Sequence, residues 1–454
     1  MIDKYRNFII IFLMSFIIYL VCGLIITYNF NTFDIWNVMF EFDTPRVVGD
    51  LTLCVFDHYR VAVHPLFVIL FQPIVLLINI IINNPIISSL LLQSLLSAAI
   101  LCIVYKCITK LCTNKSLVII FMFLFGMSFP QFVFTTSIET FIFAQFFLVL
   151  LWLFAINKMD NKLTYWDYVI LFLLGISSIG VTITNFFQFV IVVFFVLTLN
   201  KKNKHRVFSS LFLIIGTLSF TVFLAEIQNI IWPAAPNFFT KLINDIIYST
   251  SEETNYISRN ITANNFLNVL NSNYAQSYNI FNLVILKEGN SIMFSNSITS
   301  NIFSILCGII FIILNVLFFK KNIKKIYNHK LYLSLLLTYM FNFALHLLYG
   351  NEISFLYICH YNFILIYLYV YLIDNLLVKK TSIKKTFVIL FIIFLLFMMK
   401  IIELVNKLRI VYNLSFNYNL TSIIIILLSL LLLIIVLFKH YIIKRKVIKN
   451  EDVY

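Results

Sequence analysis

The segment between residues 43 and 64 concentrates ionisable side chains in a chain that has few of them. Only 11% of the 454 residues are charged, yet this segment carries three aspartates, two arginines and two histidines: Asp43, Arg46, Asp50, Asp57, His58, Arg60 and His64. A carboxylate can act as the general base that activates an acceptor hydroxyl. Arginine and histidine can stabilise the negative charge that develops on a leaving group. The segment therefore predicts a group-transfer site, and the alternative is a solvated loop with surface ion pairs, which contribute little.

Two further candidates lie at predicted helix starts. Glu139 precedes a long apolar run, where the helix dipole favours an acidic residue and Ser137 can cap the helix. The same position also suits a second catalytic carboxylate. His64 precedes Pro65, and proline is favoured in the first turn of a helix. His64 either caps that helix or meets a lipid phosphate at the helix N-terminus.

A third group of candidates lies late in the chain. Glu352 and His360 flank a short apolar stretch just before a predicted helix. They are candidates for binding a ligand headgroup. The alternative is that the stretch serves only as an interfacial anchor through Tyr357 and Tyr361, since tyrosine is enriched where a membrane meets water.

The composition determines which elements must position these residues. Hydrophobic residues make up 61% of the chain and its mean hydropathy is +0.97, whereas a soluble chain is at most about half apolar. Apolar runs of this length require lipid as their solvent. A secreted enzyme, a nucleic-acid-binding module and a disulfide-stapled scaffold are therefore excluded. The net charge of +14 then reflects membrane topology, and no nucleic acid partner is expected.

Thirteen apolar runs can be read along the chain, and backbone in lipid must be helical when the runs are continuous. We therefore predict an all-α polytopic bundle that forms one integral membrane domain over residues 1–454. The runs lie near residues 8–28, 64–83, 88–105, 117–129, 140–157, 167–184, 185–200, 207–225, 301–319, 331–349, 361–378, 386–402 and 421–438.

Lysine and arginine predict the orientation, because cytoplasmic loops carry an excess of them. Of the 33 present, 25 fall on one side if the downstream runs each cross once. This places both termini in the cytoplasm and requires an even number of crossings. We predict about twelve crossings, with residues 64–83 forming a juxtamembrane or re-entrant helix on the outer side. The large outer loops are then 29–63 and 226–300, the second carrying short helices, and we expect a bacterial plasma membrane.

The order of several short motifs resembles that of a known superfamily. The motifs are His64-Pro65-Leu66, Asn84-Pro85, Ser128-Phe129-Pro130 and Thr136-Ser137-Ile138-Glu139. Together with the acidic first outer loop, they resemble the GT-C superfamily of polytopic glycosyltransferases. The resemblance is to the protein O-mannosyltransferase-like and aminoarabinose-transferase-like branch, and it covers about residues 1–157 by motif.

The resemblance implies transfer of a sugar from a polyprenyl-phosphate carrier to a glycan, lipid or protein acceptor on the non-cytoplasmic face. It implies Asp43 as the catalytic aspartate, with Asp50 as the second choice, and Glu139 as a later acidic residue. The 226–300 loop corresponds to an acceptor-side loop. No nucleotide cofactor is expected, and a divalent cation stays open because family members differ in metal dependence. The expected substrate-binding residues are Arg46, His58, Arg60, His64, Glu352 and His360.

Two other functions stay open at this stage. A lipid or sugar transporter or flippase would place ionisable residues through the membrane midplane, whereas here they crowd the outer face. An O-antigen polymerase or ligase-like enzyme would concentrate arginine and histidine in the late outer loop. Residues 226–300 contain only three basic residues, Lys241, Arg259 and Lys287, which disfavours this reading.

Overall fold

The computed structural model describes residues 2–30, 39–53, 63–199, 206–232, 262–286, 291–295, 297–348, 354–376 and 383–412. Of these residues 85% are helical. The predicted helical bundle is therefore confirmed as a class of structure. The predicted run at 421–438 lies outside the described residues.

The α-helices follow one another through this part of the chain, joined by short connections. They are α1 (Ile2–Phe30), α2 (Thr44–Thr52), α3 (Phe67–Ile82), α4 (Pro85–Leu111), α5 (Lys115–Gly126), α6 (Phe129–Thr136), α7 (Thr140–Lys158), α8 (Tyr165–Val181), α9 (Phe186–Val193), α10 (Arg206–Ile231), α11 (Ala263–Asn271), α12 (Ile298–Asn322), α13 (Lys330–Leu348), α14 (Ser354–Tyr357), α15 (Asn362–Leu376) and α16 (Ile383–Val411). The π-helical turns Phe194–Thr198 and Ser272–Gln276 and the 3-10 turns Ile183–Asn185, Ile323–Asn328 and Ile358–His360 extend several of them.

Seven of the described helices are long and apolar enough to cross a membrane. Two bent pairs raise the number to nine if each pair forms one span: α5 with α6 at 49°, and Ser354–His360 with α15 at 60°. Pro130 at the start of α6 accounts for the first bend, because proline cannot continue the preceding turn. At the second bend, Tyr361 leaves helical geometry with φ at −150°. The predicted twelve crossings exceed this number. The shorter apolar helices are Phe67–Ile82, Tyr165–Val181 and Ile183–Thr198.

Among the described residues, the connections around residues 112–115, 158–167 and 320–330 and the end of α15 meet at one end of the bundle, which we call the basic end. Contacts within and between these segments hold them together there. The contacts are Lys158–Asp167 at 2.9 Å, Lys330–Asp160 at 3.5 Å, Lys321 to the Asn375 carbonyl at 2.6 Å and the Thr113 N–H to Asp374 at 3.3 Å.

The opposite end holds Asp43 and Glu139, and we call it the carboxylate end. Helix α3 begins there, because the Leu66 N–H donates to the Gly180 carbonyl at 2.7 Å where α8 ends. A Cβ at Gly180 would lie 2.6 Å from the Leu66 side chain, so this close approach requires glycine. Helix α4 follows α3 after two residues and runs to Lys110 at the basic end. Helix α3 therefore has both its ends at the carboxylate end.

An antiparallel hairpin departs from the all-α prediction. Strands β1 (Asn282–Leu286) and β2 (Ser291–Ser295) pair within the predicted loop 226–300, where the sequence indicated only short helices. Helix α16 holds the hairpin, since Glu403 accepts from the Leu283 N–H at 2.6 Å and pairs with Lys400 at 2.7 Å. The Phe40 N–H donates to the Ile292 carbonyl at 3.0 Å. The hairpin thereby fixes the backbone that leads into Asp43.

Candidate functional site

Three ionisable side chains of α2 form one ion triad. Asp43 is the N-cap residue and Pro45 occupies the first turn, a position where proline fits a helix. The Arg46 guanidinium donates from Nε to Asp43 Oδ2 at 3.2 Å and from Nη1 to Asp50 Oδ2 at 2.9 Å. Residues three and four positions apart share a helix face. The Asp43–Arg46–Asp50 triad therefore follows from the helical spacing of this segment.

Burial divides the roles within the triad. The Arg46 side chain is only 3% exposed, whereas the Asp43 side chain is 18% exposed. The Arg46 guanidinium thus lies beneath the surface, between the two carboxylates, and its contacts are internal. Asp43 is the member of the triad that water or a substrate can reach. A buried arginine with two hydrogen-bonded carboxylates fixes their positions through charge-assisted hydrogen bonds.

Glu139 joins this triad from a distant part of the chain. It is the N-cap residue of α7 and is 2% exposed. Its Oε1 accepts a hydrogen bond from the Asp43 N–H, and its Oε2 accepts from the Thr140 N–H at 3.2 Å. One carboxylate therefore satisfies backbone donors at the starts of both α2 and α7, and it positions Asp43 relative to α7.

Gln93 of α4 hydrogen-bonds the backbone of Glu139 and of the turn that precedes it. Its side-chain oxygen accepts from the Glu139 N–H at 3.1 Å, and its side-chain nitrogen donates to the carbonyls of Phe134 at 2.9 Å and Ser137 at 2.7 Å. All three hydrogen-bonding groups of this fully buried amide contact the connection between α6 and α7. Gln93 thereby holds the turn that presents Glu139.

Burial raises the pKa of the Glu139 carboxyl to about 7. Loss of hydration is the main cause, and the negative charge of Asp43 adds to it. The Arg46 charge and the hydrogen bonds from the Asp43 and Thr140 N–H groups act in the opposite direction. The carboxyl of Glu139 therefore exchanges its proton near neutral pH, in direct contact with the backbone of Asp43.

The raised pKa of Glu139 predicts a pH-dependent stability. An unfolded glutamate has a pKa near 4.5, so the folded chain holds more protons between about pH 4.5 and pH 7. The contribution of Glu139 to the free energy of unfolding is fully present below this pH window. It falls by about 3 kcal/mol as pH rises through the window. In detergent between pH 5 and pH 8, the melting temperature of the wild type falls by more than that of Glu139→Gln. The exposed-site variant Asp160→Asn keeps the wild-type slope, and an unchanged slope in Glu139→Gln would contradict the raised pKa.

Aromatic rings pack around the segment that precedes Asp43. The Phe42 ring lies 5.3 Å from Phe134, and the Phe40 ring lies 4.7 Å from Phe294 of the hairpin. Phe355 contacts both Phe134 at 5.1 Å and Phe294 at 4.5 Å. Such ring pairs contribute about 0.5–1.5 kcal/mol each beyond area burial. The backbone of Asp43 is therefore held by a packed aromatic cluster.

Helix α3 holds the other end of α2. The Gln72 side-chain nitrogen donates to the carbonyl of Asp50 at 3.0 Å and to that of Leu53 at 3.2 Å. Gln72 is 1% exposed, so these bonds satisfy a buried amide and two carbonyls at the helix end, where backbone acceptors are otherwise unpaired. Helix α3 thus acts as a platform for the triad.

The remaining predicted site residues contact neighbouring segments or lie outside the described residues. The His64 Nδ1 donates to the Val181 carbonyl at 2.7 Å, at the start of α3. His360 is buried, and its ring lies 5.8 Å from that of Phe141. The structure thus brings together Asp43, Arg46, Asp50 and Glu139, and it places His64 against the end of α8 and His360 against Phe141 of α7. His58, Arg60 and Glu352 lie outside the described residues.

Two residues of the site were not predicted from the sequence as site residues: Gln93 and Gln72. Both interrupt apolar runs, and polar residues within a membrane segment are costly enough to suggest a function. Gln93 lies on a serine-rich face of α4 with Ser89 and Ser97. This polar face is the sequence signal that could have identified Gln93. Hydropathy averaged over a whole run hides it, because the surrounding residues are apolar.

The charged side chains of the triad are two carboxylates and one guanidinium. Within the described ranges, no group of three or more His, Cys, Asp and Glu side chains is arranged to hold a metal ion. Arg46 occupies the position between the two aspartates.

No family model, no curated protein and no solved structure matches this chain.

Proposed function

We propose that this protein is a membrane-embedded glycosyltransferase that moves a sugar from a polyprenyl-phosphate carrier to an acceptor hydroxyl. One observation carries the proposal: an accessible aspartate, Asp43, is fixed by Arg46 and by the Glu139 carboxylate at one end of a bundle of apolar helices. A positioned carboxylate at a lipid boundary is what the activation of a hydroxyl beside a lipid-linked donor requires.

The proposed reaction assigns one role to each residue. Asp43 accepts the proton of the acceptor hydroxyl. At the same time, the oxygen of that hydroxyl forms a bond to the anomeric carbon of the donor. The bond between that carbon and the carrier phosphate breaks, and its electron pair goes to the phosphate oxygen. Arg46 and Glu139 are positioning residues that hold Asp43. Stabilisation of the leaving phosphate falls to His64, Arg60 and His58, because Arg46 already binds two carboxylates.

We further propose the membrane arrangement in which the carboxylate end faces the non-cytoplasmic side and the basic end faces the cytoplasm. The excess of lysine at the basic end supports this orientation. Twelve crossings are obtained when α8 and α9 also cross and residues 421–438 supply the last. Helix α3 then lies at the outer surface, because both its ends belong to the carboxylate end. Its exposed residues Leu77, Ile80 and Ile81 suit contact with lipid.

The test of this function is the fate of a labelled donor in proteoliposomes that contain the full-length protein. A glycosyltransferase releases polyprenyl phosphate and forms a glycosylated acceptor, in proportion to the amount of protein. A transporter or flippase moves the intact donor between leaflets without breaking the sugar–phosphate bond. Intact donor with altered sidedness would therefore replace the proposal by the transporter reading. Elongation of a glycan chain would favour a polymerase.

A further inference from the structure

Two buried histidines form a second polar centre near the triad. His346 of α13 and His360, at the end of the 3-10 turn before α15, are each 3% exposed. Both ring nitrogens of His346 and the Nε2 of His360 have no hydrogen-bond partner in the described part of the chain. A buried polar atom without a partner costs about 1–3 kcal/mol. Three such atoms on two neighbouring segments indicate a place built to hydrogen-bond a ligand.

The two rings are held in fixed orientations. His346 lies between the rings of Tyr357 at 5.0 Å and Tyr361 at 5.3 Å, within 9° and 18° of parallel. The Asn273 side-chain nitrogen donates to the Tyr361 hydroxyl at 3.2 Å. Gln188 donates to the His360 carbonyl at 2.8 Å. The ring of His346 and the backbone of His360 are thus held in place, which lowers the entropic cost of binding a ligand.

The side chains of this centre are uncharged and offer both hydrogen-bond donors and hydrogen-bond acceptors. A neutral imidazole presents one N–H donor and one acceptor nitrogen, and neither ring has a carboxylate partner in the described chain. The Asn273 oxygen and the Asn362 nitrogen, which are also buried without partners among the described residues, add one acceptor and one donor. Hydroxyl groups both donate and accept, so a polyhydroxylated ligand matches this set. A phosphate offers mainly acceptors and a charge, and it matches less well.

The centre lies close to the triad. The Phe141 ring is 5.8 Å from His360 and 5.1 Å from Phe134, and Phe134 is 5.3 Å from Phe42, which precedes Asp43. Phe141 itself follows Glu139 by two residues. Three aromatic rings in mutual contact, those of Phe141, Phe134 and Phe42, therefore connect His360 to the backbone of Asp43.

We propose that His346 and His360 form a sugar-binding subsite that hydrogen-bonds the hydroxyl groups of a neutral glycosyl unit, with Tyr357 and Tyr361 fixing the ring of His346. This inference rests on the proposed function, since it assigns the recognition of the sugar to the histidines and leaves the chemistry at Asp43. It also adds His346, Tyr361 and Asn273 to the residues that select the substrate.

The test uses the full-length protein in nanodiscs and saturation-transfer NMR with free D-glucose, D-galactose, D-mannose, N-acetyl-D-glucosamine and L-arabinose. At least one of these sugars binds the wild type, and its dissociation constant rises at least tenfold in a variant carrying His346→Phe and His360→Phe. Phenylalanine keeps the stacked rings and removes the nitrogens. The matched control His329→Phe, at the basic end, binds within twofold of the wild type. The ³¹P line width of added inorganic phosphate is the same with the wild type and with the doubly substituted variant.

Either of two results with the sugar panel would overturn the subsite: no binding by any sugar, or equal sugar binding by the wild type and the doubly substituted variant with unchanged melting temperature. A phosphate response that depends on the histidines would also overturn it, in favour of an anion site. Failure of the proposed function shows separately, as donor consumption that does not depend on Asp43, and it is measured without reference to sugar binding.

Discussion

Asp43→Asn lowers the rate of sugar transfer by about 10²–10⁴-fold, the range that a positioned general base contributes. The substitution removes the base but keeps a side-chain oxygen that can still accept from Arg46, so the helix cap and the triad geometry persist. The measurement is release of polyprenyl phosphate from a labelled donor in proteoliposomes, with the amount of inserted protein held equal.

Two comparisons make the Asp43 result specific. Asp160→Asn changes an exposed carboxylate at the basic end, and it retains the wild-type rate. Asp50→Asn has a smaller effect than Asp43→Asn, because Asp50 is buried and acts through Arg46. A greater loss in Asp50→Asn would identify Asp50 as the base, and full turnover by Asp43→Asn would remove Asp43 from the mechanism.

Arg46→Met lowers the free energy of unfolding by about 3–5 kcal/mol, since it leaves the buried Asp50 carboxylate, and Asp43 beside it, without their cation. Methionine preserves most of the side-chain volume, so the loss reports the charge and not a cavity. The measurement is reversible unfolding in mixed micelles at pH 8, where Glu139 adds a further negative charge to the cluster.

The charge interpretation predicts the behaviour of two companion variants. Arg46→Met combined with Asp50→Asn recovers part of the loss, because one unpaired carboxylate is removed. Lys330→Met, which breaks an exposed pair with Asp160, costs less than about 1 kcal/mol. Equal losses in Arg46→Met and Lys330→Met would mean that the triad is not a buried electrostatic unit.

Local patterns in the sequence predicted the long apolar helices of this site, whereas α2 lies in a segment, 29–63, that was predicted as an outer loop. The spacing of Asp43, Arg46 and Asp50 suits one face of a helix, and hydropathy located α4 and α7 to within a few residues. The lysine pattern predicted which connections share an end of the bundle, and the contacts at the basic end agree for the connections around residues 112–115, 158–167 and 320–330. These features depend on residues that are close in the chain or on composition, which is why the sequence contains them.

Contacts between distant segments could not be predicted in the same way. The Glu139 carboxylate accepts from the backbone of Asp43, 96 positions earlier, and no local pattern indicates that bond. The hairpin has short strands in an Asn- and Ser-rich region, and it depends on Lys400 and Glu403 from a much later helix. Hydropathy also uses length alone to decide whether a short apolar helix crosses the membrane. The number of crossings therefore rests on the three-dimensional placement of α3, α8 and α9.

The proposed reaction requires the Asp43 centre to face the non-cytoplasmic side, and cysteine labelling measures this directly. In a background without the seven native cysteines, Leu53→Cys reports the carboxylate end and Tyr327→Cys the basic end, at positions that are 50% and 82% exposed. A membrane-impermeant maleimide is predicted to label Leu53→Cys in intact cells and Tyr327→Cys only after permeabilisation. The reverse pattern would place the centre in the cytoplasm and contradict the proposed function.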